Sequence, residues 1–106
     1  MKRSGKVFLT VRIDVPPEIE DEFNKWYDTE HIPNLLKVPG VVSAKRGVCY
    51  EGEGPKYIAI YEHLNDQIAQ SRAYKQAADT EWTQRLRQHF MKIEVHRFYE
   101  IIGSGS

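Results

Sequence analysis

The most informative stretch of the chain reads Trp26-Tyr27-Asp28-Thr29-Glu30-His31-Ile32-Pro33-Asn34-Leu35-Leu36-Lys37-Val38 and is followed at once by Pro39-Gly40. It places charged and aromatic side chains on a helix that should pack against a core, just before Pro39-Gly40 forces that helix to stop. Polar groups are costly to bury and need a compensating partner. We therefore predict a pocket here, with Glu30 and His31 as its leading polar members.

The sequence before this stretch predicts a strand and the start of the same helix. Lys6–Asp14 alternates apolar and polar side chains, as a half-buried strand does, and two prolines end it. Apolar positions then recur at helical spacing, and we expect Pro33 and Pro39-Gly40 to close the helix. The stripe that should face the core consists of Ile19, Phe23, Trp26 and Glu30.

The rest of the chain predicts three more strands and two more helical segments. The strands are Val41–Tyr50, Lys56–Leu64 and Ile93–Ile102. One helix should begin at an Asn65-Asp66 cap and run to about Ala78, and another should cover Glu81–Phe90 after an Asp79-Thr80 cap. The order β-α-β-β-α-β predicts an α+β, ferredoxin-like fold with one antiparallel sheet and its helices on one face. Residues 1–102 form one domain, and the Gly-Ser stretch 103–106 resembles an artificial linker.

Composition excludes several classes of function. The 15 basic and 15 acidic residues give zero net charge, without the basic excess that nucleic-acid binding requires. We find no apolar run of about 20 residues and no signal peptide, so we expect no membrane span. The single cysteine, Cys49, rules out an internal disulfide and favours a reducing, cytoplasmic location. No cysteine, histidine or carboxylate spacing typical of a metal site is present.

The predicted sheet is apolar on both faces, although helices can cover only one. The third strand has Tyr57 and Tyr61 on one face and Ile58 and Ile60 on the other. A monomer would expose a sheet-sized apolar patch, which soluble monomers rarely do. We therefore predict a homodimer that packs sheet against sheet about a two-fold axis.

The chain resembles the dimeric α+β barrel superfamily, and within it the small EthD-like proteins. The resemblance lies in Trp26-Tyr27, His31-Ile32-Pro33, Pro39-Gly40-Val41, Gly54-Pro55-Lys56-Tyr57 and Asp79-Thr80-Glu81-Trp82-Thr83. It implies a small-molecule pocket between helices and sheet in each protomer, often without a cofactor. It also implies that His31 occupies the position of the usual catalytic candidate of EthD-like members. The chain shows no match to the haem-binding members, so we expect neither haem nor any other cofactor.

The predicted catalytic residues are His31, Glu30 and Tyr61. His31 falls at the edge of the helix stripe, where it is either a general base facing a cleft or a helix-end residue bonded to carbonyls. Glu30 lies near the centre of the stripe, and a structural bond to Arg46, Arg97 or a tyrosine hydroxyl is favoured over catalysis. A tyrosine, Tyr27 or Tyr61, would donate a hydrogen bond to a developing enolate or phenolate oxygen.

Further residues are predicted to bind substrate. The strand residues among them share the cleft with His31 only if their face of the sheet is the inner one, which strand parity alone leaves open because bulges shift it. Arg46 suits either an anionic substrate or a salt bridge at a dimer interface. The predicted binding residues are Trp26, Tyr27, Asn34, Arg46, His63, Trp82 and Phe90.

These residues favour a cofactor-independent enzyme that acts on a small hydrophobic or aromatic molecule by proton transfer, as an isomerase, cyclase or lyase does. Two alternatives remain open. One is a cofactor-free monooxygenase, in which the substrate anion itself reacts with oxygen. The other is a non-enzymatic binding or stress protein that sequesters a small molecule.

Overall fold

A four-stranded antiparallel sheet forms the centre of the computed structural model, which describes residues 2–103. The strands are β1 (Arg3–Asp14), β2 (Val41–Val48), β3 (Tyr57–His63) and β4 (Lys92–Ile101). Their order in the sheet is β2-β3-β1-β4, and every neighbouring pair is antiparallel. The predicted α+β, ferredoxin-like arrangement is confirmed. Residues 104–106 of the predicted linker lie outside the described residues.

The helical segments are short and follow the prediction only in part. They comprise α1 (Glu20–Trp26), a π-helical turn (Tyr27–His31), α2 (Ile32–Leu36), α3 (Arg72–Ala78) and α4 (Glu81–Arg87), with single 3₁₀ turns at Pro17–Ile19 and Ile68–Gln70. The predicted cap at Thr80 is confirmed, because the Thr80 hydroxyl accepts the Thr83 amide at 3.1 Å.

The predicted start of the second helix at Asn65-Asp66 is wrong. The Asn65 side chain accepts the Gln67 amide at 2.9 Å and so closes a local turn instead of capping a helix. Helix α3 begins six residues later, where Ser71 is the cap and accepts the Tyr74 amide at 3.2 Å. The connector between β3 and α3, residues 64–71, is therefore an irregular segment that lies against the sheet.

Pro33 does not close the first helical region, contrary to the prediction. Just before the proline, hydrogen bonding switches to the i+5 pattern, with the Ile32 amide donating to the Tyr27 carbonyl. Pro33 then occupies the first turn of α2, where its missing N–H leaves no bond unmade. The π-helical turn thus carries the chain past a residue that would break an ordinary helix.

Register resolves which face of the sheet meets the helices. Leu9 of β1 pairs with Tyr61 of β3, and Val7 pairs with His63, so these four side chains share one face. All four are buried, and the core lies between this face and the apolar sides of α1, α2 and α4. The opposite face, which we call the open face, carries Phe8, Ile58, Ile60 and Phe98, and nothing within residues 2–103 forms a layer over it. No helix within residues 2–103 has both the length and the apolar character to cross a membrane.

Candidate functional site

A cavity of about 250 Å³ lies between the ends of β1, β3 and β4 and the connector that follows β3. Its floor is apolar, because Val7 and Leu9 of the central strand form it. Polar side chains surround this floor. We call it the site cavity; its other lining residues are His63, Asn65, Asp66, Gln67, Ala69, Gln70, Arg97, Phe98 and Tyr99.

His63 is the buried titratable group of the site cavity. It is 1% exposed, and its Nε2 atom has no hydrogen-bond partner among the described residues. The ring is held edge-on to Tyr74 of α3, with centroids 5.4 Å apart. Burial lowers the pKa of His63, so the imidazole is neutral at pH 7 and free to accept a proton. No described protein group therefore satisfies the Nε2 atom of this residue, which belongs to the cavity lining.

The connector wall of the site cavity is fixed by a hydrogen bond across to β4. The Tyr99 hydroxyl donates to one carboxylate oxygen of Asp66 at 2.7 Å, and the side-chain amide of Gln67 donates to the other oxygen at 3.0 Å. The Tyr99 hydroxyl in particular holds the pKa of Asp66 below its usual range. The Arg3 guanidinium lies 4.2 Å from the centre of the Tyr99 ring and lowers that pKa further. Asp66 is therefore a charged but satisfied member of the wall.

His31 is turned into a buried aromatic cluster formed by Phe23, Trp26, Tyr27, His31 and Phe90. Its ring stacks on Trp26 with centroids 4.4 Å apart and meets Tyr27 edge-on at 5.3 Å. In an α-helix, residues five apart point about 140° away from each other. The i+5 bonding of the π-helical turn instead brings Trp26 and His31 to the same side. Sequence analysis put His31 at the edge of the stripe because it assumed an unbroken α-helix.

Burial governs the chemistry of His31. It lowers the pKa of the imidazole to about 4, with a smaller contribution from the charge of Arg87. The Nδ1 atom has no hydrogen-bond partner among the described residues. The Nδ1 atom therefore makes none of the bonds to backbone carbonyls that the helix-end alternative for His31 requires. His31 also does not line the site cavity.

Three tyrosines with buried hydroxyl groups interact with one another: Tyr27 of the aromatic cluster, Tyr61 and Tyr74. Burial raises the pKa of Tyr27 and of Tyr74 to about 12 and that of Tyr61 well above its usual value. Each of these hydroxyl groups affects the pKa of another. The Tyr61 hydroxyl nevertheless makes no hydrogen bond to any described residue. Tyr61 lies behind His63, with ring centroids 6.3 Å apart. Sequence analysis missed Tyr74; its spacing from Ala77 and Ala78 on α3 was the available signal.

Arg46 is engaged within its own chain. Its guanidinium pairs with Asp28 at 3.0 Å and donates to Asn24 at 2.7 Å. It also lies 4.4 Å from the centre of the Tyr27 ring, where it covers the aromatic cluster as a cation over a π face. Arg46 was predicted to bind an anionic substrate or to form a salt bridge at a dimer interface. In the isolated chain its guanidinium is instead paired with these residues of the same chain.

Glu30 ends a chain of buried hydrogen bonds. The Trp26 indole donates to Thr83 at 3.1 Å, the Thr83 and Thr80 hydroxyls are 2.9 Å apart, and the Thr80 hydroxyl donates to Glu30 at 2.7 Å. The structural bond predicted for Glu30 exists, but the predicted partners, Arg46, Arg97 or a tyrosine, are wrong. The π-helical turn moves Glu30 off the stripe and towards the cap of α4.

The remaining predicted residues are also dispersed. Trp82 donates to Glu22 at 2.9 Å and borders a shallow surface hollow with Glu30, and Asn34 borders a different hollow beside α3. Phe90 packs against Phe23 in the aromatic cluster at 5.8 Å.

The single pocket predicted around His31 is thus replaced by separate sites. Of the predicted site residues, the site cavity includes only His63. Asp66 and Tyr99 were not predicted, and Arg97 was predicted only as a possible partner of Glu30, because only the β1–β4 pairing and the irregular connector bring the three residues together. Residues 2–103 contain no group of three or more histidine, cysteine or acidic side chains placed to hold a metal ion.

Comparison with known proteins gives one family and a set of similar structures. The family described as "Domain of unknown function (DUF4286)" matches residues 6–101. No curated protein matches the sequence.

The similar structures include a NIPSNAP family protein from Agrobacterium tumefaciens, which is 15% identical, with a TM-score of 0.72 over 98% of this chain and 93% of that one. SnoaB, a cofactor-independent oxygenase from Streptomyces nogalater, is 16% identical, with a TM-score of 0.61 over 96% and 99% of the two chains. A candidate monooxygenase from Shewanella loihica is 17% identical, with a TM-score of 0.63 over 94% and 98%. At these identities the likeness shows a shared fold.

Proposed function

We propose that this protein is a cofactor-independent monooxygenase of small cyclic molecules. The chain belongs to the DUF4286 family of unknown function and has the dimeric α+β barrel fold. The reaction would take place in the site cavity. The observation that carries the proposal is His63, a buried imidazole in the lining of the site cavity whose Nε2 atom has no hydrogen-bond partner among the described residues. The oxygenase chemistry is suggested by the fold neighbours from Streptomyces nogalater and Shewanella loihica.

His63 is the proposed general base. Because burial lowers its pKa, the imidazole is neutral at pH 7 and able to take a proton from an acidic O–H or C–H of the substrate. The apolar floor of Val7 and Leu9 keeps water away from the resulting anion. Tyr74 holds the imidazole ring edge-on and so limits its rotation.

The anion is the reductant for oxygen in this proposal. It transfers two electrons to O₂, a carbon–oxygen bond forms, and the resulting peroxide anion takes up the proton held by His63 to give a hydroperoxide. Loss of water from a hydroperoxide on a CH carbon leaves a carbonyl, so one oxygen atom enters the product and the other leaves as water. The substrate supplies every electron, and the protein contributes the base and a cavity with an apolar floor.

The experiment measures oxygen consumption with hydroquinone, 1-naphthol and 1-hydroxy-2-naphthoate in the presence of the protein. We expect uptake with at least one of these phenols and a loss of about 10²- to 10⁴-fold in His63→Gln, the range typical of a lost general base. His96→Gln is the matched control, because His96 lies on β4 and on the open face, outside the site cavity. Equal rates in the protein and in His63→Gln would overturn the assignment of the base.

The predicted isomerase, cyclase or lyase chemistry shares the first step and is the second candidate. In that reaction the anion is reprotonated at another atom and oxygen is not consumed. Incorporation of deuterium from D₂O without oxygen uptake would support it against the oxygenase. Binding without either reaction would support the non-enzymatic alternative.

The catalytic roles predicted for His31, Glu30 and Tyr61 stay predictions. Tyr61 is the best placed of the three, since its unpartnered hydroxyl lies in the tyrosine group behind His63. We propose that it supports His63 from that position. In that case Tyr61→Phe lowers turnover less than His63→Gln does.

We also propose that the protein is a homodimer through the open face. Phe8 and Phe98 are cross-strand partners there, Phe98 is 51% exposed, and Ile58 and Ile60 extend the patch along β3. Covering this patch with a second copy removes exposed apolar surface that a monomer would leave in water. Light scattering coupled to size exclusion tests the assembly.

A further inference from the structure

We propose that the site cavity takes a small organic acid of one or two rings, and that Arg97 at the cavity wall holds its carboxylate. This inference names the substrate class of the site cavity and therefore rests on the proposed function. Three independent features of the cavity carry it: its volume, its charge balance and the arrangement of its apolar floor.

The volume sets an upper limit on the ligand. Ordinary sites for drug-sized ligands have volumes of roughly 300–1,000 Å³, and a cavity of about 150 Å³ is enough to hold benzene. At about 250 Å³, the site cavity has room for one substituted ring or two fused rings. Larger polycyclic molecules do not fit unless the connector moves.

The charges on the wall leave one cation available. Asp66 is already bonded to Tyr99 and Gln67, and Arg3 on the far side of the Tyr99 ring further offsets its charge. Arg97 makes no ion pair within residues 2–103. An arginine presents a planar fork of donors that matches a carboxylate in two parallel hydrogen bonds. Arg97 is therefore a charged side chain of the cavity lining that a ligand carboxylate could pair with.

The apolar floor gives the ligand a direction. Arg97 pairs with Leu9 in the β1–β4 ladder, and Val7 pairs with His63 in the β1–β3 ladder. The floor residues Val7 and Leu9 thus lie between the cation on β4 and the base on β3. A ring resting on this floor spans the two, so its carboxylate meets Arg97 while an acidic proton on the ring side meets His63.

The test compares matched ligands by calorimetric titration and by the NMR shifts of His63. Salicylate and salicylamide have the same ring and hydroxyl, but salicylate carries an ionised carboxylate where salicylamide carries a neutral carboxamide. We expect salicylate to bind at least ten-fold more tightly, and we expect this ratio to fall towards one in Arg97→Gln. Lys92→Gln, on the same strand but outside the cavity, is the matched control and should keep the ratio. Circular dichroism confirms that each variant is folded.

Equal binding of the two ligands, or a ratio that Arg97→Gln leaves unchanged, would overturn the inference. Its failure is separable from that of the proposed function. Preference for salicylate without oxygen uptake or deuterium exchange would support the acid-binding role of Arg97 and refute catalysis. Turnover of uncharged phenols that depends on His63, without a preference for acids, would support catalysis and refute the acid-binding role of Arg97.

Discussion

Replacement of His31 by phenylalanine should make the stability of the protein less sensitive to acid. Burial against Trp26 lowers the pKa of His31 from 6.5 to about 4, so the fold disfavours its charged form. The stability associated with the neutral ring is therefore complete above pH 6.5 and is lost as pH falls from 6.5 towards 4. His31→Phe keeps a flat ring against the indole and removes the titration.

The size of the effect follows from the two pKa values. At pH 5 the imidazole of His31 is protonated in the unfolded chain but still largely neutral in the folded protein. This difference lowers the free energy of unfolding by about 2 kcal/mol relative to pH 7. Other titrating groups, including His63, contribute equally to both proteins and cancel in the comparison. The difference between wild type and His31→Phe should therefore change by about 2 kcal/mol between pH 7 and pH 5.

Urea denaturation followed by tryptophan fluorescence at pH 7, 6 and 5 measures this change. The quantity compared is the slope with pH, so a constant packing cost of the new ring does not enter. His89→Phe is the matched control, because His89 is exposed and lies outside the aromatic cluster. If His31→Phe and wild type lose the same stability from pH 7 to pH 5, the argument for a buried neutral imidazole is wrong.

Three further substitutions test other parts of the structure. Thr83→Val removes the acceptor of the buried Trp26 indole and should lower the free energy of unfolding by about 1–3 kcal/mol in the same urea assay; an unchanged midpoint would contradict the hydrogen bond. Gly40→Ala adds a methyl group at φ +94° against Ile68 and should lower the melting temperature markedly, and a variant as stable as wild type would show that the turn relaxes. Phe98→Glu places a charge on the open face and should halve the mass measured by light scattering, whereas an unchanged dimer would place the interface elsewhere.

The fold was predictable because its signals are local. Alternation in Lys6–Asp14 gave the central strand, and proline, glycine and capping residues divided the remaining elements. The fold implied by the resemblance to the dimeric α+β barrel superfamily is shared by the fold neighbours. They do not distinguish the EthD-like group within it.

The candidate site was much less predictable, for two physical reasons. A switch to i+5 bonding over Tyr27–His31 rotates His31 inward and Glu30 outward, and a helical wheel built on 3.6 residues per turn cannot anticipate it. The site cavity also joins residues far apart in sequence, since Arg97 and Tyr99 meet His63 only through strand pairing with β1. Single-sequence patterns carry no information on such long-range contacts.

The strand order has a consequence for synthesis on the ribosome. β1 is translated early but lies in the middle of the sheet, and its neighbour β4 is the last described strand to leave the exit tunnel. Until then one edge of β1 has no hydrogen-bonding neighbour, a state in which nascent chains are prone to associate wrongly. Arg97 and Tyr99 arrive with β4, so a growing chain has no complete binding site and cannot be rescued by ligand. Ligand added to cells can stabilise only finished molecules of this protein.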